Sequence, residues 1–395
     1  MKQQNNPPIC NVKDTKEFFS SAMKIMFTPT IKRRSIYTEG DVSGTLRNAI
    51  ADHLYVETYI RNYGNTRTPS GDTMFRLLKG IASESGSHRR KGSDMGKSGK
   101  TVRTGIEKIQ SLLDLIVKKA ISIGAFSTSV NVAIDEHDHP YYGTDSRYLI
   151  AVGSKKFRGT DKAYRFATLE SVKKGERFVL SVMRRDQLDG IDNSMEVRTL
   201  IGHAVDLGIK INIILMDRGY LDAGVMNDID IMGMKYIVPA KDNPKVLRFK
   251  KEEMHYSAKN DLSFLVVNDS IDSGKEVAKA NFVHVRYHRD GKLHDFCFYA
   301  NIEVTEDNVG NLAEIYRERW SIENGYGEKM VFEEKTHSPD IGVRYFIFYF
   351  SVLLYNLWIL INLMRRLSEL TWLIFMDFVI GMKRGRWGSI TGDFG

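Results

Sequence analysis

Cysteine is nearly missing from this sequence. Two residues in 395, Cys10 and Cys297, cannot build a disulfide framework, and they lack zinc-site spacing. A reducing, intracellular compartment is expected, and the cytoplasm is the natural one. Proline is also scarce, at 8 residues, while 42% of residues are hydrophobic and 11% aromatic. That balance excludes a disordered chain, because enough apolar surface is available to offset chain entropy. The first residues, Met1 to Pro8, contain no apolar run, so no signal peptide is expected. No internal repeat is visible.

What is present is charge, unevenly placed. Lys and Arg number 57 against 49 Asp and Glu, a net of +8. Residues 1–127 hold 21 basic and 11 acidic residues, a net of +10, whereas residues 128–340 hold 30 and 35, a net of −5. A basic front joined to an acidic middle suggests a grip on nucleic acid attached to carboxylates with another task, although surface solubility alone produces similar asymmetry.

The basic front reads as helical. Ile106, Ile109, Leu113, Ile116 and Ala120 recur at three- and four-residue steps, which predicts a helix over Val102 to Ile123. Thr68-Pro69-Ser70-Gly71-Asp72 is a turn and cap signal ahead of a short helix, Thr73 to Leu78, and two short helices about such a turn would suit a helix-turn-helix. Ser83 to Lys100, rich in Gly, Ser, Lys and Arg, reads as a loop or linker. Its Arg89, Arg90 and Lys91 could strap a nucleic acid. Its Gly-Lys-Ser and Gly-Lys-Thr triplets have the wrong glycine spacing for a phosphate-binding loop.

From residue 128 the period changes to that of strands. Ser129 to Ile134 alternates and ends at Asp135; Arg147 to Gly153, Ala163 to Val172 and Arg177 to Met183 follow. Met195 to Leu207 is helical, Ile211 to Met216 is a buried-type strand ending at Asp217, residues 221–230 are helical, and Tyr236 to Val238 is a strand. A mostly β segment at about 245–304 precedes a helix over 308–330. The fold class is therefore α/β with an inserted β segment. The expected division is a helical basic region at 1–127, a catalytic core at 128–340 and a C-terminal helical packing or dimerisation region at 341–395. Within the last region 17 of the 20 residues from Tyr345 to Met364 are apolar. Such a run could span a bilayer, but its two Asn residues, its internal Tyr and Trp and the basic residues on both sides favour a buried packing helix.

Asp135 and Asp217 each close an apolar strand, and central parallel strands present their carboxyl ends at one edge. Either could be a turn or cap residue alone. Glu323 lies seven residues after Tyr316 and four after Arg319 in Tyr316-Arg317-Glu318-Arg319-Trp320-Ser321-Ile322-Glu323, so these three share a helix face. Converging carboxylates repel, and Mg²⁺ or Mn²⁺ is the natural compensation. Asp135-Glu136-His137-Asp138-His139 also admits a local transition-metal site through its two imidazoles.

In these residues the sequence resembles the DDE transposases of prokaryotic insertion sequences, in the group related to insertion sequence family four and its archaeal branch. Asp135 to Gly143 resembles that branch, Asp217-Arg218-Gly219-Tyr220 matches the second-aspartate motif, and Tyr316, Arg319 and Glu323 match the third. The signature's terminal Lys position, seven residues after the Glu, holds Met330 here, with Lys329 beside it. The resemblance covers about residues 128–362.

The resemblance implies an RNase H-like core in which Asp135, Asp217 and Glu323 bind two catalytic Mg²⁺ or Mn²⁺ ions. It further implies that Tyr316, Arg319 and Lys329 hold DNA phosphates, while Arg218 pairs with a phosphate or orients Asp217. Trp320 could stack on a base or belong to the core. The partners implied are double-stranded DNA, as terminal inverted repeats and target, and a second copy of the chain in a homodimeric synapse; no membrane is involved. A nuclease of the same fold without strand transfer, or an inactive DNA-binding derivative, would share much of this pattern.

Overall fold

The acidic middle of the chain folds around strands whose apolar residues face both ways. In the computed structural model these are β1 (Val130–Pro140), β2 (Ile150–Ala151), β3 (Lys162–Ser171), β4 (Val179–Arg185), β5 (Ile211–Met216) and β6 (Lys235–Pro239), followed by β7 (His255–Ser257), β8 (Leu262–Asp272), β9 (Val277–Arg289) and β10 (Lys292–Ala300). The structure describes residues 36–51, 54–82, 97–126, 129–146, 148–152, 157–172, 177–185, 190–289, 291–318, 336 and 338–365.

All ten strands join one sheet in the order β2-β3-β1-β5-β6-β10-β9-β8-β7, with β4 also paired to β3. β1, β5 and β6 are parallel, whereas β3 and β4 run antiparallel to their neighbours. Parallel neighbours need crossovers. Helix α5 (Asn193–Asp206) carries the chain from β4 to β5, and α6 (Ala223–Ile231) carries it from β5 to β6. Asp192 caps α5 by accepting the Met195 amide at 2.7 Å. At the other end Gly208, at φ +94°, takes the left-handed conformation, and the Ile209 amide closes back on the Ala204 carbonyl at 3.1 Å.

Most expected elements lie where the periodicity places them, with some differences. β1 does not end at Asp135 but runs on to Pro140, because β3 pairs with it through Pro140↔Ala163. Of Arg147 to Gly153, only Ile150–Ala151 is strand among the described residues. The inserted segment opens with a short helix, α7 (Pro244–Phe249), started by Asn243, whose side chain accepts the Val246 amide at 2.8 Å, and by Pro244 in the first turn. The helix after the insertion, α8 (Val309–Glu318), is described as far as Glu318, and the remainder of 308–330 lies outside the described residues.

The chain divides into two compact units, Phe126–Gly325 and a second made of Met1–Ala125 with Tyr326–Gly395. The second unit contains α1 (Glu39–Ala51), α2 (Val56–Tyr63), α3 (Gly71–Ala82), α4 (Lys97–Ser122) and α9 (Ile341–Arg365). The expected loop at 83–100 thus gives way to helix at Lys97, and residues 83–96, with Arg89, Arg90 and Lys91, lie outside the described residues. Leu113, Ile116 and Ala120 form the buried face expected of α4. The long apolar helix α9 packs on α3 and α4, so these helices of the N-terminal region share one core with α9. In the span Ile341–Leu360, 94% of the most apolar window is buried within the protein, and its apolar run is explained by packing.

Phe350 is fully buried in α9 and stacks on Phe346 at 5.8 Å. Phe350→Ala is expected to lower unfolding stability by about 3–5 kcal/mol through the cavity it leaves. Denaturant unfolding checks this.

Candidate active site

The parallel pairing of β1 with β5 builds the site. Ala133 pairs with Leu215 and Ile134 with Met216, so the next residue on each strand is an aspartate, Asp135 beside Asp217. Neighbouring strands lie about 4.8 Å apart, and side chains level with each other in the register point to the same face. Asp135 is half-buried and accepts the Glu136 amide at 2.7 Å. Asp217 is exposed and begins the 3-10 turn Arg218–Tyr220. β5 stops here while β1 continues, so the pair sits on a step in the sheet.

Register also carries the face across the sheet. Odd-numbered residues of β1 share a side with odd-numbered residues of β5, and through Leu215↔Ile237 with those of β6. The antiparallel pair Ala300↔Ile237 passes that side to the even-numbered residues of β10. Phe296 and Phe298 therefore lie on the Asp135 face, and Tyr316 of α8 stacks on both, at 4.7 Å and 5.3 Å between ring centroids. A second contact agrees, since Glu318 of α8 takes a hydrogen bond from the side chain of Asn131, four residues before Asp135 on β1. Burial, opposed by that hydrogen bond and reinforced by Glu314, raises the Glu318 carboxyl above its ordinary range. Helix α8 thus covers the face on which Asp135 and Asp217 stand.

Behind the site, on the opposite side of β1, charges are neutralised in a chain. Glu136 lies 2.8 Å from Arg165 and 2.6 Å from Arg185, which are cross-strand neighbours on β3 and β4. Arg165 also grips Asp138 with two bonds, Nε to Oδ1 at 2.6 Å and Nη2 to Oδ2 at 2.9 Å. These pairs let β1 continue past Asp135 although Glu136-His137-Asp138-His139 has no apolar alternation. They also answer the local transition-metal reading, because Asp138 is turned away and bound to Arg165. Among the described residues no group of three or more His, Cys, Asp and Glu is arranged to hold a metal ion. His137 and His139 meet edge to face at 4.7 Å, and His139 packs on Phe166.

Glu196 of α5 is fully buried; it accepts a hydrogen bond from the hydroxyl of Tyr220 and lies 3.6 Å from Arg185. Burial, with Glu136 nearby and despite Tyr220, Arg185 and Arg165, pushes its carboxyl up to about 7. Tyr220 is also buried, and its hydroxyl is held well above the ordinary phenol value by burial and then by Glu196, Glu136 and Asp135.

The expected site residues divide as follows. Asp135 and Asp217 are brought together. Arg218 is exposed on the turn immediately after Asp217 and makes no ion pair among the described residues. Tyr316 is 5% exposed and serves to seat α8 on the sheet, a packing task that its place on an expected phosphate-binding face did not suggest. Arg319, Trp320, Glu323, Lys329 and Met330 lie outside the described residues. Sequence reasoning missed Arg165, Arg185, Asn193 and Glu196. Glu196 left a signal, an acid in the stripe Val197, Leu200, Ile201 and Ala204 that buries α5.

Residues 188–340 match the family model of the transposase DDE domain, which supports a DDE transposase. Among solved structures the chain is similar to the piggyBac transposase in its synaptic complex with hairpin DNA, with a TM-score of 0.55 and 10% sequence identity, over 95% of this chain and 82% of that one. At that identity the likeness concerns the fold, an RNase H-like α/β architecture with a central sheet. A search of curated proteins finds no match.

The raised Glu196 carboxyl fixes the sign of a pH effect. A folded-state value of about 7 against 4.5 in the unfolded chain means that stability from this group is fully present below about pH 4.5 and is lost as pH rises through about 7. The melting temperature is expected to fall between pH 5.5 and 8 more steeply in the wild type than in Glu196→Gln, as measured by calorimetry.

Proposed function

We propose that this protein is the transposase of an insertion sequence, cutting DNA at the element's ends and joining the freed ends to a target, with Asp135, Asp217 and Glu323 as its three carboxylates. The observation that carries the reading is the placement of Asp135 beside Asp217 on the sheet face that α8 covers, since α8 leads in sequence to Glu323. The match of residues 188–340 to the transposase DDE domain supports it.

The residues present suit divalent metal. Two carboxylates stand level on one face, one exposed and one half-buried, so a hydrated cation can approach hard oxygen donors. Asp135, Asp217 and Glu323 would hold Mg²⁺ or Mn²⁺. When bound, a pair of such ions supplies charge stabilisation and alignment for in-line displacement at phosphorus. The chain's own residues do the rest. The two aspartates fix the place where a DNA phosphate must sit, and Arg218, exposed on the turn after Asp217, offers a fork of donors to its oxygens. Tyr316 seats α8, while Arg319 and Lys329 follow it in sequence as further phosphate-binding cations. Water would attack first, releasing a 3′-hydroxyl at the element end. That hydroxyl would then attack target DNA in the same site, with no covalent bond to the protein.

Double-stranded DNA is the partner; the structurally similar piggyBac transposase is seen in a synaptic complex with hairpin DNA. The basic helical region at 1–127, with Arg61, Arg67 and Arg76, would read the terminal repeats, and two copies of the chain would pair two ends. The cytoplasm, with its nucleoid, is the place for this reaction.

Incubated with Mn²⁺, a DNA fragment carrying the flanks of this reading frame and a target plasmid, the protein is expected to yield end-cleaved and joined products. Asp135→Asn and Asp217→Asn are each expected to cut both products by at least about 1,000-fold, a loss of roughly 4 kcal/mol of transition-state stabilisation. Cleavage without joining would identify a nuclease of the same fold, and aspartate variants as active as the wild type would identify a DNA-binding derivative.

Tyr316→Phe is expected to keep the wild-type melting temperature because the ring stack survives, while Tyr316→Ala loses about 3–5 kcal/mol. A fall in DNA affinity in the Phe variant alone would reveal a phosphate contact by the hydroxyl.

A further inference from the structure

We infer that Glu196 is a positioning residue for the two aspartates: it clamps the turn that carries Asp217 and Arg218 and ties that turn, through Arg185 and Glu136, to the strand that carries Asp135. The inference deepens the transposase reading and rests on it.

The turn after β5 is short, and its backbone is closed by only two bonds, from the Tyr220 amide to the Asp217 carbonyl at 3.0 Å and from the Leu221 amide to the Arg218 carbonyl at 3.2 Å. Its position relative to the sheet needs outside support. Helix α5 supplies two anchors from residues one turn apart. Asn193 Nδ2 donates to the Gly219 carbonyl at 3.0 Å, and Glu196 Oε1 accepts the Tyr220 hydroxyl. Gly219 is held through its carbonyl and Tyr220 is buried, while Asp217 and Arg218 stand exposed at the start of the same turn.

The same glutamate faces the other aspartate's strand. Arg185 Nη1 stands 3.6 Å from Glu196 Oε2 and 2.6 Å from Glu136 Oε1, and Glu136 donates its amide to Asp135 at 2.7 Å. Arg165, 2.8 Å from Glu136 and 2.6 Å from Asp138, fixes the strand end of this path. The two aspartates are therefore joined by their strand pairing in front and by a run of charge-assisted contacts behind.

Packing alone gives no reason for an acid at this position. Val197, Leu200, Ile201 and Ala204 continue the same buried stripe, and an apolar residue at 196 would extend it without the desolvation cost of a carboxylate. A polar residue retained against the local pattern is expected where geometry is needed for function.

The test uses the full-length protein and the variants Glu196→Ala, Glu196→Gln, Tyr220→Phe and Asp217→Asn. The readouts are Mn²⁺ affinity from the electron paramagnetic resonance of free Mn²⁺, the Mn²⁺ concentration giving half-maximal nicking of supercoiled DNA, and melting temperature. Outer-shell contacts to a metal site are worth about 10- to 100-fold, so Glu196→Ala and Tyr220→Phe are each expected to weaken Mn²⁺ binding and shift the nicking midpoint by that factor. Glu196→Gln keeps an oxygen to accept the Tyr220 hydroxyl and is expected to recover most of the loss. Wild-type Mn²⁺ affinity and midpoint in Tyr220→Phe and in a folded Glu196→Ala, whatever the change in melting temperature, would overturn the inference; if Glu196→Ala does not fold, Tyr220→Phe decides. Asp217→Asn separates the two levels: nicking that survives in it defeats the transposase reading itself, whereas nicking lost in it together with wild-type behaviour in Tyr220→Phe defeats only the positioning role.

Discussion

The pairing of β1 with β5 is the constraint on which the site depends. Two strands separated in sequence by three others, β2 to β4, and a crossover helix are set parallel, in a register that makes Asp135 and Asp217 the next residues after Ile134↔Met216. A shift of one residue would turn one of the carboxylates to the other face. The register is held by what lies on both sides: Val132, Ile134, Ile214 and Met216 are buried on one face, and Ala133 and Leu215 on the other. The hydrophobic core thereby decides where two acids meet.

Those acids impose a cost that the surroundings answer by charge. β1 would be a poor strand beyond Ile134 on its own pattern, yet it continues because Arg165 and Arg185 neutralise Glu136 and Asp138 from β3 and β4. The opposite face, on which Asp135 and Asp217 stand level, is the face given to α8. Acids neutralised behind and two carboxylates set level in front is an arrangement that suits a cation-binding site.

Much of this was legible in the sequence, for reasons that can be named. Ile211 to Met216 and Ala163 to Val172 declare themselves as strands by apolar runs, and Asp217 follows the first of these directly. The stopping point of β1 was misread because its continuation depends on arginines 27 and 49 residues away, which no local pattern reports. Tyr316 was placed on the correct element, but the rings it packs against, Phe296 and Phe298, belong to the insertion, and only the sheet order brings them under α8. Glu196 was hidden for the opposite reason: its neighbours look like an ordinary buried helix face, and its meaning appears only with Arg185 and Tyr220 beside it. The apolar run at 345–364 was read as packing, and α9 is buried against α3 and α4.

The central claim is that acids from β1, from β5 and from the segment after α8 share one metal site. The most direct measurement is anomalous scattering from a crystal of the protein grown with Mn²⁺ and DNA. The account predicts a manganese peak at Asp135 and Asp217, with Glu323 as a further ligand in that site. A metal bound elsewhere, or Glu323 turned away from both aspartates in the DNA complex, would contradict it.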